Sequence, residues 1–335
     1  MTTKLITVYG GTGNQGGSVV RSLLRNPHEF SVRVISRNPS SEKSQELINL
    51  GAQVVRADAW ESQSLVQAFQ GAWGAFVNMN SDEFVLSDEN SPSEFDMGKN
   101  IIDSAIIAGV QHLVFSSGPS CTDLTNGKVN MKAMNMKNKV QLYAQSLHKF
   151  RTITPICAGW FMENFLEKAV APIFGGFPHL PDAEGFLTFN VPFWGGKEDV
   201  PWLSITDDFG DIAHGIFLEP ERWNGQNIHG LSDVKSFEEM TRAFAAVSGR
   251  KSRFVPLLSS WEAFNTHDIP QLIDVKLMFG LTQTTGGIYF GEVTEKDTAT
   301  ALKAAGAHAC GKSGEELRLK TLESWFERAV AKNMI

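Results

Sequence analysis

Residues 8–20, VYGGTGNQGGSVV, connect an apolar strand-like run to a helix-like run through five glycines. Gly10, Gly13 and Gly16 give the spacing G-x-x-G-x-x-G, in which the glycines permit a tight turn, a close backbone approach to a pyrophosphate and close packing of helix on strand. The start of the following helix offers N–H groups and a positive dipole end to phosphates. This spacing alone also fits an ordinary loop, but its position between strand and helix favours a dinucleotide cradle. Further side-chain donors in the loop are Thr12, Asn14 and Gln15.

The first half of the chain alternates apolar strands with amphipathic helices. Predicted strands cover residues 5–10, 30–36, 52–58, 74–80, 112–118 and 151–159, and the segments between most of them show helical spacing. Such alternation is typical of a parallel sheet with helices on both faces, because each crossover must pack back onto the sheet. The sequence therefore predicts an α/β fold with a doubly wound parallel sheet.

After residue 158 the pattern changes to a stretch rich in glycine, proline and aromatic residues, 171–202. A helix with a capping box from Ser236 to Glu239 follows further on. We expect a dinucleotide-binding domain at 1–157, which segment 203–232 rejoins. We expect a smaller mixed α/β substrate lobe that covers the carboxyl edge of the sheet, where doubly wound folds bind ligands. Its predicted segments are 158–202 and 233–335.

Composition and charge exclude several classes of partner. The formal net charge is −7 and no basic block offsets it, which argues against direct nucleic-acid binding or attraction to an anionic membrane surface. No stretch is typical of a secretory signal or a membrane span, so a cytoplasmic location is expected. Cys121, Cys157 and Cys310 lie far apart without metal-ligand spacing, so neither a disulfide framework nor a metal site is expected.

The type of cofactor depends on the end of the second predicted strand. NAD-selective sites usually place an acidic residue there for the ribose 2′-hydroxyl, whereas this chain has Arg37. A guanidinium matches a phosphate, so we expect NADP(H), with a solvated surface arginine as the alternative. Asp58 and Asn78 follow the third and fourth strands, where adenine and ribose contacts are made; each also suits a turn.

The segments 8–24, 33–39, 50–58 and 159–165 resemble the NmrA-like family, atypical short-chain dehydrogenase relatives that include isoflavone-reductase-like enzymes. The resemblance extends to 321–329 and is loose in the second lobe. It implies a Rossmann domain that binds NADP(H), with a small helical lobe. It does not imply one function, since the family contains NADPH-dependent reductases, enzymes of fungal secondary metabolism and non-catalytic redox sensors that bind transcription or signalling partners.

Ordinary short-chain dehydrogenases use Tyr-x-x-x-Lys, in which the tyrosine donates a proton. Here Lys137 matches the lysine of the related reductases, but Ala133 stands in the tyrosine position. In isoflavone-reductase-like enzymes the lysine works without that tyrosine, which makes Lys137 the candidate acid or base. Ser116 and Ser117 end the fifth strand as hydroxyls beside the nicotinamide, with Ser117 as a second catalytic candidate. The alternatives are that Lys137 only holds the ribose and that the serines only finish a strand.

The segment after the sixth strand carries the expected substrate pocket. Gly159, Trp160 and Phe161 are expected to border the nicotinamide. An aromatic pocket suits a flat, largely apolar substrate, although aromatic residues at strand ends also form ordinary core. The expected pocket residues are Trp160, Asn164, Phe193, Trp194 and Trp202. Further acid or base candidates, each with a structural alternative, are Tyr143, Glu163 and His179.

Two functional hypotheses follow. The first is an NADPH-dependent oxidoreductase, or a relative that keeps the cofactor during a non-redox step, acting on a small aromatic or secondary-metabolite-type molecule. The second is a non-catalytic NADP(H) sensor that regulates transcription or signalling through protein partners, with shuttling to the nucleus. The aromatic segment and Lys137 favour the first, and the missing tyrosine favours the second.

Overall fold

The computed structural model describes residues 3–84, 91–257 and 260–335. Within these ranges, seven parallel strands form the central sheet in the order β10-β6-β5-β4-β1-β2-β3, and two small sheets lie outside it. The strands are β1 Lys4–Tyr9, β2 Phe30–Ser36, β3 Gln53–Arg56, β4 Gly74–Val77, β5 His112–Ser117, β6 Thr152–Ala158, β7 Trp160–Phe161, β8 Leu187–Phe189, β9 Pro201–Leu203, β10 Ile228–Gly230, β11 Asp233–Val234 and β12 Ser252–Phe254.

The order of the strands reverses between β1 and β4. Strand β1 pairs with β2 on one side and with β4 on the other, so the chain winds outward in both directions from this point. In doubly wound sheets the connections diverge there and leave a crevice at the carboxyl ends of the strands. The fold class predicted from the sequence is confirmed.

Helices cover both faces of the sheet. One apolar cluster joins α1, α7 and α11 to one face, and another joins α3, α4 and α6 to the opposite face. The helices are α1 Asn14–Leu24, α2 Glu42–Asn49, α3 Ser62–Phe69, α4 Glu94–Ile107, α5 Cys121–Leu124, α6 Lys132–Ser146, α7 Gly210–Leu218, α8 Pro220–Trp223, α9 Phe237–Ser248, α10 Gln271–Thr284, α11 Asp297–Ala309 and α12 Leu322–Ala331.

The smaller lobe is held together by an aromatic core to which α9, α10 and α12 contribute. Helix α9 begins with the predicted capping box, in which Ser236 and Glu239 exchange hydrogen bonds, and Gly249 ends it with a φ of +68°. The short antiparallel pairing of β11 with β9 and the parallel pairing of β7 with β9 connect this lobe to the end of β6. No helix in the described ranges combines the length and the apolar character needed to cross a membrane.

Segments that follow residue 157 pack on the central sheet and its helices. Strand β10 pairs with β6. Helix α11 packs on α7, where a Cβ added to Gly215 would lie 2.4 Å from the Leu302 carbonyl oxygen. Ala299 and Leu302 of α11 belong to the same apolar cluster as β1 and α1. The division of the chain into two domains stays a prediction.

Candidate functional site

The glycine loop is built by close backbone packing at the strand-order reversal. Gly10 has a φ of +79°, and a Cβ on it would lie 2.4 Å from the Asn78 carbonyl oxygen. A Cβ on Gly16 would lie 2.3 Å from the Gly10 carbonyl oxygen, whereas the nearest atom to one on Gly13 is 3.3 Å away. The loop therefore needs glycine at Gly10 and Gly16 for its own packing, while Gly13 has room on its outer side. That room is what a pyrophosphate requires.

Helix α1 starts directly at this loop. Its N-cap is Gly13, which has no side chain to cap the first turn. The first N–H groups of a helix need partners, and phosphate oxygens supply them while also matching the helix dipole. Asn14 and Thr12 lie at this same end of the helix. These features fit a dinucleotide phosphate group.

The residues expected to determine whether NADP(H) or NAD(H) binds lie beside this loop. Arg37 is exposed directly after β2, and Asn78 follows β4. Asp58 follows β3, and its carboxylate accepts a hydrogen bond of 2.9 Å from the Trp60 N–H, which is the turn interaction expected as its alternative role. A cavity of about 110 Å³ between the loop and α2 is lined by two cations, Arg21 and Lys43. Arg21 lies on α1 away from the motif, so no pattern in the sequence marks it as a candidate.

A larger cavity of about 450 Å³ extends from the glycine loop into the smaller lobe. Lys137 and Ser117 lie on its wall together with eight other residues from the predicted segments. These residues come from separate parts of the chain. This arrangement places hydroxyl, ammonium and amide groups next to an apolar space. The sequence-identified residues on its wall are Gln15, Ser116, Ser117, Ala133, Lys137, Gly159, Trp160, Phe161 and Asn164, to which Phe174 of the aromatic segment is added.

Lys137 is held in an ion pair at this wall. Its ammonium donates a hydrogen bond of 3.0 Å to Glu94 Oε1 and another to Ser81 Oγ. The Ser81 hydroxyl also donates to Glu94 Oε1 at 2.8 Å. The Glu94 side chain is only 2% exposed and that of Lys137 is 14% exposed, so this pair is much less screened by solvent than a surface ion pair.

The two serines at the end of β5 are buried and already oriented. The Ser116 hydroxyl donates to Gln15 Oε1 at 2.7 Å, which links β5 to the first turn of α1. The Ser117 hydroxyl donates to Gln141 Oε1 of α6. Both side chains lie on the cavity wall with Lys137, and the position of Ala133 leaves the wall without a phenol there.

The aromatic wall differs from the expected one. Trp160 lines the cavity, and its ring stacks on those of Trp202 and Trp194, with centroids 5.4 and 6.0 Å apart. Trp194 and Trp202 are fully buried behind it, and Phe193 is 47% exposed at the outer surface. Trp160 lies between the two buried tryptophans and the cavity. Trp194 and Trp202 are therefore core residues and Phe193 is a surface residue, and none of the three lines the cavity as expected. The aromatic side chains that do line the cavity are Trp160, Phe161, Phe165, Phe174, Phe177, Phe189 and Tyr289.

The three further acid or base candidates have structural partners. The Glu163 carboxylate accepts the N–H groups of Ile205 and Thr206 at 3.1 and 2.9 Å. His179 contacts the Phe165 carbonyl oxygen through Nε2 at 2.8 Å. The Tyr143 hydroxyl donates to Asp103 Oδ1 at 2.6 Å. Among the described residues, the structure thus places these three away from the wall of the larger cavity.

Helix α10 contributes wall residues that the sequence analysis did not identify. Asp274 is the ionisable one, and apolar residues of the same helix surround it on the wall. Its signal in the sequence is a single acidic residue inside the apolar run QLIDVKLMFGL, 271–281. The α10 residues on the wall are Leu272, Asp274, Val275 and Met278.

Comparisons with known proteins agree with this architecture. The chain is 59% identical over 324 residues to the NmrA-like family domain-containing oxidoreductase lnaB of Aspergillus flavus, covering 96% of this chain and 97% of that protein. The crystal structure of NmrA, a negative transcriptional regulator in complex with NAD, superposes with a TM-score of 0.75 at 20% identity, covering 100% of this chain and 97% of that one.

A second solved structure with the same fold is an enzyme. The NADPH-dependent quinone oxidoreductase of Escherichia coli, complexed with NADPH, superposes with a TM-score of 0.66 at 18% identity and covers 96% of this chain and 99% of that chain. At these identities both structures establish the fold alone. The model of the NmrA-like family matches residues 2–309. The chain therefore belongs to the NmrA-like family.

Proposed function

We propose that this protein is an NADP(H)-dependent oxidoreductase that acts on a small, largely apolar aromatic or secondary-metabolite-type substrate. One observation carries the proposal: a single cavity connects the glycine-loop helix, through Gln15, with Lys137 and an aromatic wall. A dinucleotide whose phosphates bind at α1 has its nicotinamide end directed to the carboxyl ends of β4 and β5 in this fold class. The relative named as an oxidoreductase supports a redox reaction.

The preference for NADP(H) over NAD(H) rests on the cations beside the glycine loop. Arg37 follows β2, and Arg21 and Lys43 line the adjoining small cavity. A 2′-phosphate gains charge-assisted hydrogen bonds from such groups. Removing the Arg37 guanidinium in Arg37→Ala is expected to weaken NADPH affinity by roughly 10- to 100-fold and leave NADH affinity nearly unchanged. Equal losses for both cofactors in a calorimetric titration would contradict this assignment.

The side chains on the wall have distinct roles in this proposal. Lys137, fixed by Glu94, binds the nicotinamide ribose hydroxyls and stabilises negative charge on the reacting oxygen or nitrogen of the substrate. Ser116 and Ser117 offer hydroxyls beside the nicotinamide, and Asp58 and Asn78 bind the adenosine end. Gly159, Trp160 and Phe161 border the ring, and Asn164 contacts the substrate. A bound reduced nicotinamide supplies hydride to an electrophilic carbon.

The aromatic wall supports the proposed substrate class. The cavity of about 450 Å³ lies within the range of small-molecule sites and its lining is mostly apolar. Excluding water from such a site also strengthens the electrostatic effect of Lys137 on a reacting oxygen or nitrogen. A flat substrate with one polar reacting group therefore fits best.

The test is anaerobic NADPH consumption with a panel of aromatic aldehydes, aryl ketones, quinones and cyclic imines, followed by metabolite extracts. We expect at least one compound to be consumed with stoichiometric NADPH oxidation by the wild-type protein. If no compound is consumed while NADPH binds, the oxidoreductase proposal fails.

A sensor is the second candidate, and the Lys137–Glu94 pair is the observation that favours it. A lysine held by a buried carboxylate also serves a purely structural role, and Ala133 leaves no tyrosine beside it. A sensor predicts different affinities for NADP⁺ and NADPH, and binding of a protein partner that depends on the cofactor's redox state. An oxidoreductase predicts substrate turnover whether or not such a partner is present.

A further inference from the structure

Helix α10 places a carboxylate on the wall of the larger cavity. Asp274 lies in the first turn of α10, is partly buried, and shares the wall with Lys137 and Ser117. Within the described ranges, its carboxylate accepts no hydrogen bond. The other carboxylate near Lys137 differs, because Glu94 accepts hydrogen bonds from both Lys137 and Ser81.

We propose that Asp274 is the proton donor of the reaction, in place of the tyrosine whose position Ala133 occupies. This inference rests on the proposed oxidoreductase function. It requires a carboxyl group that lies on the cavity wall, has no hydrogen-bond partner among the described residues and lies near the lysine. Asp274 meets these three conditions, whereas Glu163 is held by backbone N–H groups and Glu94 by Lys137.

The surroundings of Asp274 favour its protonated form. Burial raises the pKa of the Asp274 carboxyl above its ordinary value, and the charges of Asp82 and Glu94 raise it further, while the Lys137 ammonium lowers it. The buried Cys121 thiol is a further neighbour, and burial raises its pKa to about 12, so it is neutral and adds no charge. A carboxyl group with a raised pKa is a suitable general acid near neutral pH.

The proton and electron balance of the step is complete. Reduction of a carbonyl or imine group breaks the π bond, and the substrate carbon gains a hydride from the reduced nicotinamide. The substrate oxygen or nitrogen gains the proton of the Asp274 carboxyl. The products are an alcohol or amine, the oxidised dinucleotide and the Asp274 carboxylate, which regains a proton from solvent at the open side of the cavity.

The first experiment needs no cofactor or substrate. Carbon NMR of protein labelled at the aspartate carboxyl groups should show one resonance that titrates above the ordinary aspartate range and is missing in Asp274→Asn. In Lys137→Met its midpoint should move further up, because a neighbouring positive charge is removed. An ordinary midpoint, or one that Lys137→Met does not move, would overturn the proposal.

The second experiment uses the compound that the wild-type protein consumes in the panel. Asp274→Asn should lower kcat at least ~100-fold, the usual size of general acid catalysis, while NADPH affinity and Tm stay close to wild type. Asp274→Glu should recover part of the rate. Asp297→Asn removes an exposed carboxylate on α11 and is the matched control.

The pH dependence and the outcomes separate this proposal from the proposed function. The wild-type kcat should fall as the pH rises through the Asp274 pKa, because a proton donor must be protonated, and this limb should be absent in Asp274→Asn. Full activity of Asp274→Asn overturns the donor role alone. Absence of NADPH consumption by the wild-type protein overturns the oxidoreductase function and the donor role together.

Discussion

Lys137 lies on a different helix from its carboxylate partner, so its position depends on a contact distant in sequence. The ammonium reaches Glu94 of α4 at 3.0 Å and also donates to Ser81. The sequence identified Lys137 from its motif, but Glu94 and Ser81 have no motif and stand near other polar residues. A buried ion pair of this kind fixes geometry, while its net effect on stability is small unless one partner is removed.

Replacing Lys137 tests both consequences. Lys137→Met should abolish turnover, with at least a ~100-fold loss of kcat, and should lower stability by about 3 kcal/mol because Glu94 is left buried without its cation. The double variant Lys137→Met/Glu94→Gln should recover stability in urea unfolding but not turnover. Lys139→Met, at an exposed position two residues on, is the matched control. Recovery of turnover in the double variant would show that Lys137 acts only through the fold.

Substitution by alanine should give different results at two glycines of the loop. Gly13→Ala should lower NADPH affinity by roughly tenfold or more, as for loss of a hydrogen bond to a charged group, with a smaller change in Tm than Gly16→Ala, because its Cβ would make one tight contact, 3.3 Å from the Gly10 carbonyl oxygen. Gly16→Ala should lower both affinity and Tm, because its Cβ would lie 2.3 Å from the Gly10 carbonyl oxygen. Calorimetric binding and thermal unfolding separate the two. Unchanged NADPH affinity in Gly13→Ala would contradict the cradle.

At the scale of elements, the sequence predicted what local pattern determines. Local sequence determines the alternation of strands and helices, the glycines between β1 and α1, and the Ser236 capping box. The structure has each of them. The roles of Trp194 and Trp202 depend on which side of Trp160 the cavity lies, which only tertiary packing decides. Helix α10 and Asp274 were missed because no local motif marks an acidic residue that packs near Lys137.

Helices α4 and α6 must pack closely to bring Glu94 and Lys137 together. Gly98 of α4 faces α6, where an added Cβ would lie 2.4 Å from Val140 Cγ2. Gly98→Ala should therefore cost about 1–3 kcal/mol of unfolding free energy by overpacking and should lower turnover by displacing the ion pair. Val140→Ala in the same chain removes the closest clash and leaves only the flexible Met79 side chain, whose Sδ lies 2.8 Å from the added Cβ, so it should recover part of both. A Gly98→Ala protein as stable and active as wild type would contradict this dependence.

At the scale of the whole molecule, α1 and α7 are joined by buried polar groups. His214 of α7 is fully buried, and its Nδ1 lies 3.2 Å from the Ser22 hydroxyl of α1. The Cys310 thiol, just after α11, lies 3.4 Å from the same nitrogen. Three helices on one face of the sheet therefore meet at one neutral imidazole, and this contact holds segments distant in the chain together.

This contact gives stability a specific pH dependence. Burial lowers the pKa of His214 to about 4. Between pH 6.5 and pH 4 this histidine is therefore protonated in the unfolded chain and neutral in the folded chain. Stability should fall as the pH drops from about 6.5 towards 4, with His214 contributing roughly 2 kcal/mol between pH 7 and pH 5. His214→Gln should lose this part of the slope in urea unfolding. An identical slope in both proteins would contradict the assignment.

The central claim is that the dinucleotide held by the glycine loop reacts in the cavity that contains Lys137. The most direct measurement incubates the protein with NADPH deuterated at the transferable C4 position and a metabolite extract, then searches by mass spectrometry for deuterium in a product. We expect one product that carries a single deuterium with the wild-type protein and none with Lys137→Met/Glu94→Gln. NADPH that binds tightly while no compound gains deuterium would contradict it.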